Sequence, residues 1–212
     1  VVHLTIVHKR YDSRIFCKEC VSLSEAGYDV SLIVADGLGN ETKQGVKIID
    51  VGRAEASRIK RMISTSRKAV DLALGMNADI YHFHDPDLLI EALRLRKKAC
   101  VIFDSHEDFP ALMKQRDYIP DFARKVLFRL CTLIEKYSAK RLSAVVCATE
   151  TIQDKFARYG NIRAVVVKNY PVFSSCESET TNSYDTMKPV CYVGGLTALR
   201  GVKEMVEACN KA

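Results

Sequence analysis

In residues 79–89, DIYHFHDPDLL, an apolar run carries two histidines at alternate positions and then breaks at a proline. We expect a buried strand over 79–84, with Pro86 in the first turn of the following helix and Asp85 as its N-cap. Residues 99–110, ACVIFDSHEDFP, repeat the order of apolar strand, charged residues and proline. Continuous apolar strands separated by helices are typical of a parallel sheet covered on both faces.

The same alternation of short apolar runs and helical patterns extends along most of the chain. It predicts a doubly wound parallel sheet, an α/β Rossmann-like fold, in which ligands bind beyond the carboxyl ends of the strands. The expected strands are 2–7, 29–35, 46–52, 79–84, 99–106, 143–149 and 164–169. The expected helices are 13–26 with Gly27 as C-cap, 55–75, the segment after Pro86, a long region ending near Leu142, and a helix capped by Thr149 or Thr151.

A composition change divides the chain. FSSCESETTNSYDTMK, residues 173–188, is rich in Ser, Thr and Glu and has no hydrophobic period, which is typical of a linker. We therefore expect one domain over 1–173, a linker over 174–188, and the start of a second Rossmann-like domain over 189–212. One strand–helix unit cannot bury its own apolar face, so the sequence is expected to stop inside that second domain.

The bulk composition limits the class of protein. Of the 212 residues, 48% are hydrophobic and 27% are charged, the balance of a soluble globular protein. No apolar run approaches the roughly 20 residues of a membrane span, and the first residues lack the order of a secretory signal. We expect a cytoplasmic protein with reduced cysteines, and we interpret Cys17 and Cys20 as packed positions of a helix rather than a metal or redox pair.

The net charge is +6, and basic residues cluster in segments 58–70 and 123–142. Both segments interleave basic and apolar residues with a helical period. Two interpretations stay open: an ordinary solvated helix face, or a surface that rests on anionic lipid or meets a phosphorylated partner. No nucleic-acid partner is expected.

The strand ends carry the candidate chemistry. His82 and His84 point to one side of their strand, and Asp85 or His106 could complete a metal site with them. Histidines satisfied by hydrogen bonds at the sheet edge explain the same pattern. A third interpretation is a cleft of imidazoles and carboxylates, including Glu107, that binds sugar hydroxyls and transfers protons near neutral pH.

A second motif lies in YVGGLTALRG, residues 192–201. Gly194 and Gly195 would let backbone N–H groups approach a phosphate at a helix N-terminus, and Arg200 could pair with that phosphate. A plain strand–turn–helix explains the glycines almost as well. The chain contains no G-x-G-x-x-G and no Walker A sequence, so the usual dinucleotide and P-loop interpretations fail.

Together, DSRIFCKECVSLSEAGYDVSLI, DIYHFHDPDLL, VIFDSHED, VKNYP and YVGGLTALRG resemble glycosyltransferase family 4, in its bacterial envelope-polysaccharide branch. The resemblance implies the GT-B arrangement of two Rossmann-like domains and transfer of a sugar, with retention of configuration, from a nucleotide-diphosphate sugar to a glycan or lipid-linked acceptor. It implies no obligatory metal or other cofactor. The 212 residues alone are then expected to be inactive, because most of the nucleotide-sugar domain would be missing.

The resemblance also implies residue roles. It makes His106 the histidine at the reaction centre, and it puts the acceptor beside His82, His84, Asp85 and Glu107. The donor phosphates would meet Gly194, Gly195, Arg200, Lys9 and Arg14. Two alternatives remain: a non-catalytic sugar- or nucleotide-binding module, and a metal-dependent hydrolase that uses His82 and His84. The basic segments leave a location on the inner face of the cell membrane as one option beside the free cytoplasm.

Overall fold

The structure is a computed structural model that describes residues 1–114, 119–171, 191–194 and 201–211. The chain divides into two compact units, Val1–Tyr170 and Pro171–Ala212. The first unit contains one eight-stranded sheet with strand order β3-β4-β2-β1-β5-β6-β7-β8. Its strands are β1 Val2–Leu4, β2 Ser31–Val34, β3 Glu41–Lys43, β4 Val46–Asp50, β5 Ile80–Phe83, β6 Cys100–Ser105, β7 Ala144–Cys147 and β8 Ala164–Val166.

Seven of these strands run parallel, as the alternating pattern predicts, and the α/β Rossmann-like fold is confirmed. The exception is β3, which pairs antiparallel with β4 and was not expected from the sequence. Glu41–Lys43 is a short polar segment without apolar alternation, so it carries no strand signal. The hairpin forms because Gln44 and Gly45 both have positive φ, at 49° and 77°, which is the backbone of a tight two-residue turn.

Helices connect the strands. They are α1 Val21–Glu25, which continues a π-helical turn Ile15–Cys20; α2 Arg58–Lys60, which leads through the π-helical turn Arg61–Thr65 into α3 Ser66–Gly75; α4 Phe109–Lys114; α5 Asp121–Ala139; and α6 Glu150–Arg158. Thr149 caps α6, since its hydroxyl accepts a hydrogen bond from the backbone N–H of Ile152. Cys20 is buried as expected, but Cys17 is exposed.

The sheet is covered on both faces by separate apolar cores. On one face, Leu4, Tyr81 and Phe83 pack with Phe103 and with residues of α3. On the other face, the Ile15–Cys20 turn and α1 pack over β2 and β4, with a core that contains Ile15, Phe16, Cys20, Val21, Leu32 and Ile48. Burial on both faces explains why these strands read as continuous apolar runs.

The segment after β5 differs from the expected helix. Pro86 does begin a helical turn, but Pro86–Leu88 and Glu91–Lys97 are both 3₁₀-helices. Asp85 occupies the N-cap position without making a side-chain capping hydrogen bond. Its carboxylate instead accepts hydrogen bonds from the loop that follows β1, as described below, so the first turn lacks a side-chain cap.

The second unit contains α7, Val202–Cys209, which follows Gly201 in a left-handed conformation with φ of 67°. Its expected strand and glycine turn fall largely outside the described residues, and residues 191–194 carry no strand. Among the residues that the structure describes, no helix is both long and apolar enough to cross a lipid bilayer.

Candidate functional site

Three histidines meet at the carboxyl edge of the sheet. The ring centroids of His84 and His106 lie 5.5 Å apart, and those of His8 and His106 lie 4.9 Å apart. His84 follows β5 and His106 follows β6, and these two strands are parallel neighbours. His8 belongs to the loop that follows β1, which is the other neighbour of β5. Because β1, β5 and β6 are adjacent and parallel, the three rings lie together at the carboxyl edge of the sheet.

Asp104 organises the residues around His106. Its carboxylate accepts hydrogen bonds from His106 Nε2 at 2.8 Å and from Arg14 Nε and Nη2, each at 2.8 Å. His84 Nδ1 lies 3.3 Å from the same oxygen that His106 contacts. Burial alone would raise the pKa of Asp104, but the hydrogen bonds from His106, His84 and Arg14 hold that pKa well below its usual value. Asp104 is therefore a carboxylate at neutral pH.

Asp85 joins the end of β5 to the loop after β1. One oxygen of this buried carboxylate accepts hydrogen bonds from the Thr5 hydroxyl at 2.9 Å and from the Val7 backbone N–H at 3.2 Å. The other oxygen lies 2.8 Å from His8 Nδ1. Burial of the His8 ring opposes protonation, yet the contact with Asp85 outweighs it, and the pKa of His8 is raised. Burial likewise opposes ionisation of Asp85, but His8 and the backbone donors lower its pKa.

Two pockets open at this edge. The first has a volume of about 430 Å³, within the range of small-molecule sites, and its lining includes His84, Asp85, Glu107 and the basic residues Arg58 and Arg61. The second has a volume of about 540 Å³. It is lined by residues from the loop after β1 and from the ends of β7 and β8, including Asp12, Arg14, Thr149, Lys168 and Asn169.

His8 and His106 line both pockets. Neither ring is fully buried, since the side chains are 29% and 18% exposed. His106 Nε2 donates its hydrogen to the Asp104 carboxylate, and in the tautomer that carries this single hydrogen Nδ1 can accept a hydrogen bond from a hydroxyl group. An imidazole that lines two pockets can orient hydroxyl-bearing molecules bound in either of them.

His82 lies away from these pockets, in a buried cluster. Its ring centroid is 4.8 Å from that of His3 and 4.7 Å from that of His84, beneath the helical turn that carries Glu19. Burial, and next the charge of neighbouring His84, lowers the pKa of His82 to about 3. Burial, and next the charge of Asp104, raises the pKa of Glu19 to about 9. The rings are therefore neutral at pH 7.

A family comparison matches this part of the chain. The sequence profile of Glycosyltransferase Family 4 covers residues 18–169, which include β2 through β8 and both strand ends described above. The chain belongs to Glycosyltransferase Family 4. The match covers more than half of the 212 residues and confirms the family that the sequence motifs resemble.

Solved structures share the fold of this family 4 chain at low sequence identity. A sucrose-phosphate synthase from Thermosynechococcus elongatus superposes with a TM-score of 0.58 at 12% identity, over 79% of this chain and 47% of that protein. A second structure of sucrose-phosphate synthase from the same organism gives a TM-score of 0.54 at 12% identity, over 79% of this chain and 87% of that one. This chain thus spans about half the length of the first structure. No match was found among curated proteins.

The predicted site residues separate into groups. His106, His84, Asp85 and Glu107 line the first pocket, although the His84 and Asp85 side chains are almost completely buried. His82 and exposed Lys9 line neither of the two pockets described above. Arg14 lines the second pocket while paired with Asp104. Gly194 is exposed in the second unit, and Gly195 and Arg200 lie outside the described residues.

Sequence reasoning missed four residues of this region: His3, His8, Glu19 and Lys168. His3 stands in a run read as an apolar strand, and its register partner in β5 is His82. The alternation that puts His82 and His84 on one face could have found His3, had the pairing of β1 with β5 been known. No local pattern distinguishes Glu19 from a solvent-facing residue of an amphipathic helix. Lys168 belongs to the KNYP segment, whose position at a strand end was the available signal.

Proposed function

We propose that this chain is the acceptor-side domain of a retaining glycosyltransferase, which moves a sugar from a nucleotide-diphosphate sugar to a cell-envelope glycan or lipid-linked acceptor. Residues 1–173 form that domain in this proposal, 174–188 are the linker, and 189–212 begin the nucleotide-sugar domain. Family membership supports the reaction class. The observation that carries the proposal is that His106 lines two pockets, which we assign one to each substrate.

His106 is the proposed residue at the reaction centre. Asp104 accepts the Nε2–H, which fixes the ring orientation and leaves Nδ1 to accept a hydrogen bond from a sugar hydroxyl. This is an orienting role like that of a carboxylate behind a catalytic imidazole. The first pocket, with Asp85 and Glu107 in its lining, is assigned to the acceptor, and it shares His8 and His106 with the second pocket.

Cationic groups are proposed to assist departure of the nucleotide diphosphate, without an obligatory metal. Lys168 lines the second pocket and also pairs with Glu150, which lines it too. Arg14 contributes positive potential there, although its guanidinium is already held by Asp104. Gly194, Gly195 and Arg200 are proposed phosphate contacts of the second domain, on the sequence evidence of the glycine turn.

The test uses the polypeptide encoded by the complete reading frame. It is incubated with a panel of nucleotide-diphosphate sugars and with oligosaccharide or lipid-linked acceptors, and the anomeric configuration of the product is read by NMR. We expect transfer with retention at rates of about 1 per second or more. The isolated residues 1–212 should show none. Matched reactions use His106→Ala and, as a control on an exposed helix position, Glu25→Gln.

The alternatives predict different results. Binding of a nucleotide diphosphate without any transfer would favour a non-catalytic binding module. Hydrolysis abolished by a chelator would favour a metal-dependent hydrolase at His82 and His84. The geometry disfavours the hydrolase, because the His84 side chain is fully buried and that of His82 is 12% exposed, whereas a hydrolytic metal keeps one open position for substrate.

We further propose that α5 rests on the anionic inner surface of the cell membrane. Phe122, Val126, Leu130, Leu133 and Tyr137 are 50–74% exposed, and their helical spacing puts them in one stripe. The flank of that stripe carries basic side chains, of which Lys125 and Arg129 are exposed. An exposed apolar stripe beside positive charge is complementary to an anionic lipid interface.

Vesicle sedimentation tests the membrane proposal. We expect the chain to bind vesicles that contain phosphatidylglycerol and not to bind vesicles of pure phosphatidylcholine. High salt should release the bound chain. Leu133→Ser should weaken binding, while Leu38→Ser, at an equally exposed loop position, should not. Equal effects of the two substitutions would contradict the proposal. So would concentration-dependent self-association that Leu133→Ser abolishes, because the stripe would then be a protein interface.

A further inference from the structure

Four side chains converge beneath the helical turn Ile15–Cys20: the buried His3 and His84, and the partly buried His82 and Glu19. One ligand atom from each lies within 4.8 Å of every other. His3 Nδ1 is 3.0 Å from His84 Nε2, and Glu19 Oε2 is 3.8–4.0 Å from His82 Nδ1, His84 Nε2 and His3 Nδ1. Three imidazoles and one carboxylate thus face a common centre.

The fold brings these residues together from distant parts of the chain. His3 and His82 are register partners in β1 and β5, so their side chains stand side by side on one face of the sheet. His84 follows two positions later and returns to that face. Glu19 approaches the three histidines from the helical turn Ile15–Cys20. Phe16 and Cys20 of that turn pack in the second apolar core and hold the turn in place. Each position is set by rigid secondary structure.

Among the described residues, His3 Nδ1 and His84 Nε2 share a hydrogen bond of 3.0 Å, but other polar atoms of the cluster have no partner. His3 Nε2, His82 Nε2 and both oxygens of Glu19 are buried and make no hydrogen bond. Arg14 Nε lies 3.2 Å from Glu19 Oε1 without hydrogen-bonding geometry, and it is already bonded to Asp104. One guanidinium therefore lies near both the carboxylate of Asp104 and the carboxyl group of Glu19. The two Nε2 atoms are not the ring nitrogens that approach Glu19, so it is the Glu19 oxygens that lack a partner at the common centre. An unpartnered carboxyl group at this depth is costly, and a cation at the common centre would give it a partner.

We propose that His3, Glu19, His82 and His84 bind one Zn²⁺ ion. Tetrahedral zinc with bonds of about 2.0–2.1 Å to nitrogen and oxygen holds its ligand atoms roughly 3.4 Å apart, close to the observed separations. Three neutral imidazoles and a carboxylate are a donor set that zinc favours. His84 also has the expected outer contact, since its Nδ1 faces the Asp104 carboxylate at 3.3 Å while Nε2 faces the cluster.

The site is structural. Four protein ligands fill a tetrahedral shell and leave no position for substrate, as in closed zinc sites. The ion joins β1, β5 and the Ile15–Cys20 turn, and through His84 it fixes the carboxylate that orients His106. It is independent of the proposed sugar transfer, because its presence is measured by metal content whether or not the protein is active.

The experiment measures zinc retained by the full 212-residue chain after expression with added Zn²⁺ and dialysis into metal-free buffer. We expect about one ion per chain by mass spectrometry, and metal-free protein should gain roughly 5–10 °C in Tm when Zn²⁺ exceeds its Kd a hundredfold. Glu19→Gln and His82→Gln should lower retained zinc at least tenfold, whereas Glu25→Gln, an exposed carboxylate on α1, should retain it.

Two further measurements keep the proposal falsifiable if a ligand variant fails to fold. Co²⁺ substituted into the unaltered chain should give the intense visible absorption of a tetrahedral site. His106→Ala should retain zinc, because that residue belongs to a neighbouring group, His84, Asp104 and His106, rather than to this one. The proposal is overturned if the unaltered chain retains no zinc and its Tm does not respond to it. Loss of zinc in His106→Ala with retention in His82→Gln would equally overturn it.

Discussion

The guanidinium of Arg14 forms a two-point ion pair with the carboxylate of Asp104, with Nε and Nη2 each 2.8 Å from an oxygen. The side chains are 5% and 0% exposed. Burial lowers the pKa of Arg14, but the hydrogen bonds and charge of Asp104 outweigh it, and the pKa is raised. Sequence reasoning proposed that Arg14 contacts donor phosphate. Its planar fork is instead occupied by a carboxylate, so its first contribution is to the stability of the site.

We predict that Arg14→Gln lowers the free energy of unfolding by about 3–5 kcal/mol, because it leaves the buried Asp104 carboxylate without its main counter-charge. Lys9→Gln, at an exposed position in the same loop, should change stability by no more than about 0.5 kcal/mol. Urea denaturation of both variants makes the measurement. Equal stabilities of the two variants would show that the ion pair does not hold the site together.

Asp85→Asn should lower the free energy of unfolding by about 3 kcal/mol. The neutral amide of asparagine lacks the negative charge that faces His8. Its NH₂ group is a hydrogen-bond donor, so it cannot accept the hydrogen bonds that Thr5 and Val7 donate to the carboxylate. Asp154→Asn, at an exposed position of α6, is the matched control. A near-neutral result for Asp85→Asn in the same denaturation experiment would contradict the role of Asp85 as the anchor of the loop after β1.

The His8–Asp85 contact should make stability depend on pH in a defined direction. Because the pKa of His8 is raised in the folded state, the folded protein binds its proton more tightly than the unfolded chain does. The stabilisation is therefore fully present below the unfolded pKa of about 6.5 and is lost as the pH rises through the folded pKa.

The measurement compares the unaltered chain with His8→Gln by denaturation from about pH 5.5 to pH 8.5. The difference in unfolding free energy between the two proteins should be larger at the acidic end. Taking the difference removes the contributions of the other titrating groups that both proteins share. A difference that stays constant or grows with pH would refute the assignment.

In the enzyme encoded by the complete reading frame, His106→Ala and Arg200→Ala should affect different steps. His106→Ala should lower turnover about a hundredfold while leaving nucleotide-diphosphate affinity nearly unchanged, since its proposed contact is with the sugar. Arg200→Ala should weaken donor handling, with a loss of roughly a hundredfold in rate, because diphosphate charge grows as the glycosidic bond breaks. Calorimetry of nucleotide-diphosphate binding beside turnover separates the two. Unchanged binding and turnover in Arg200→Ala would remove it from the donor site.

The fold was predictable because most of its strands and helices can be recognised from a short stretch of sequence. Continuous apolar strands such as Cys100–Ser105, separated by helices, specify a parallel sheet, and strand direction then fixes the edge at which His84 and His106 emerge. The β3 strand was not predictable in the same way, because a three-residue polar strand has no period to read.

The site was predictable only in part, because its contacts depend on strand order and helix rotation. The choice of β5 as the partner of β1 puts His3 beside His82, and nothing local to either strand specifies that pairing. Glu19 and Arg14 look like ordinary solvated helix residues until the turn they occupy is placed over the sheet. Their partners Asp104, His82 and His84 come from segments more than sixty residues away.

The hydrogen bond that Arg14 Nη1 donates to Val167 has a consequence for folding during synthesis. Nη1 donates to the backbone carbonyl of Val167, just after β8, while the other two donors bind Asp104. A nascent polypeptide cannot close this set of contacts until the ribosome has produced residue 167, although Arg14 emerged long before. Loop closure over such separations is slow compared with local helix formation. The loop after β1 therefore cannot complete its contacts until 153 further residues have been synthesised after Arg14.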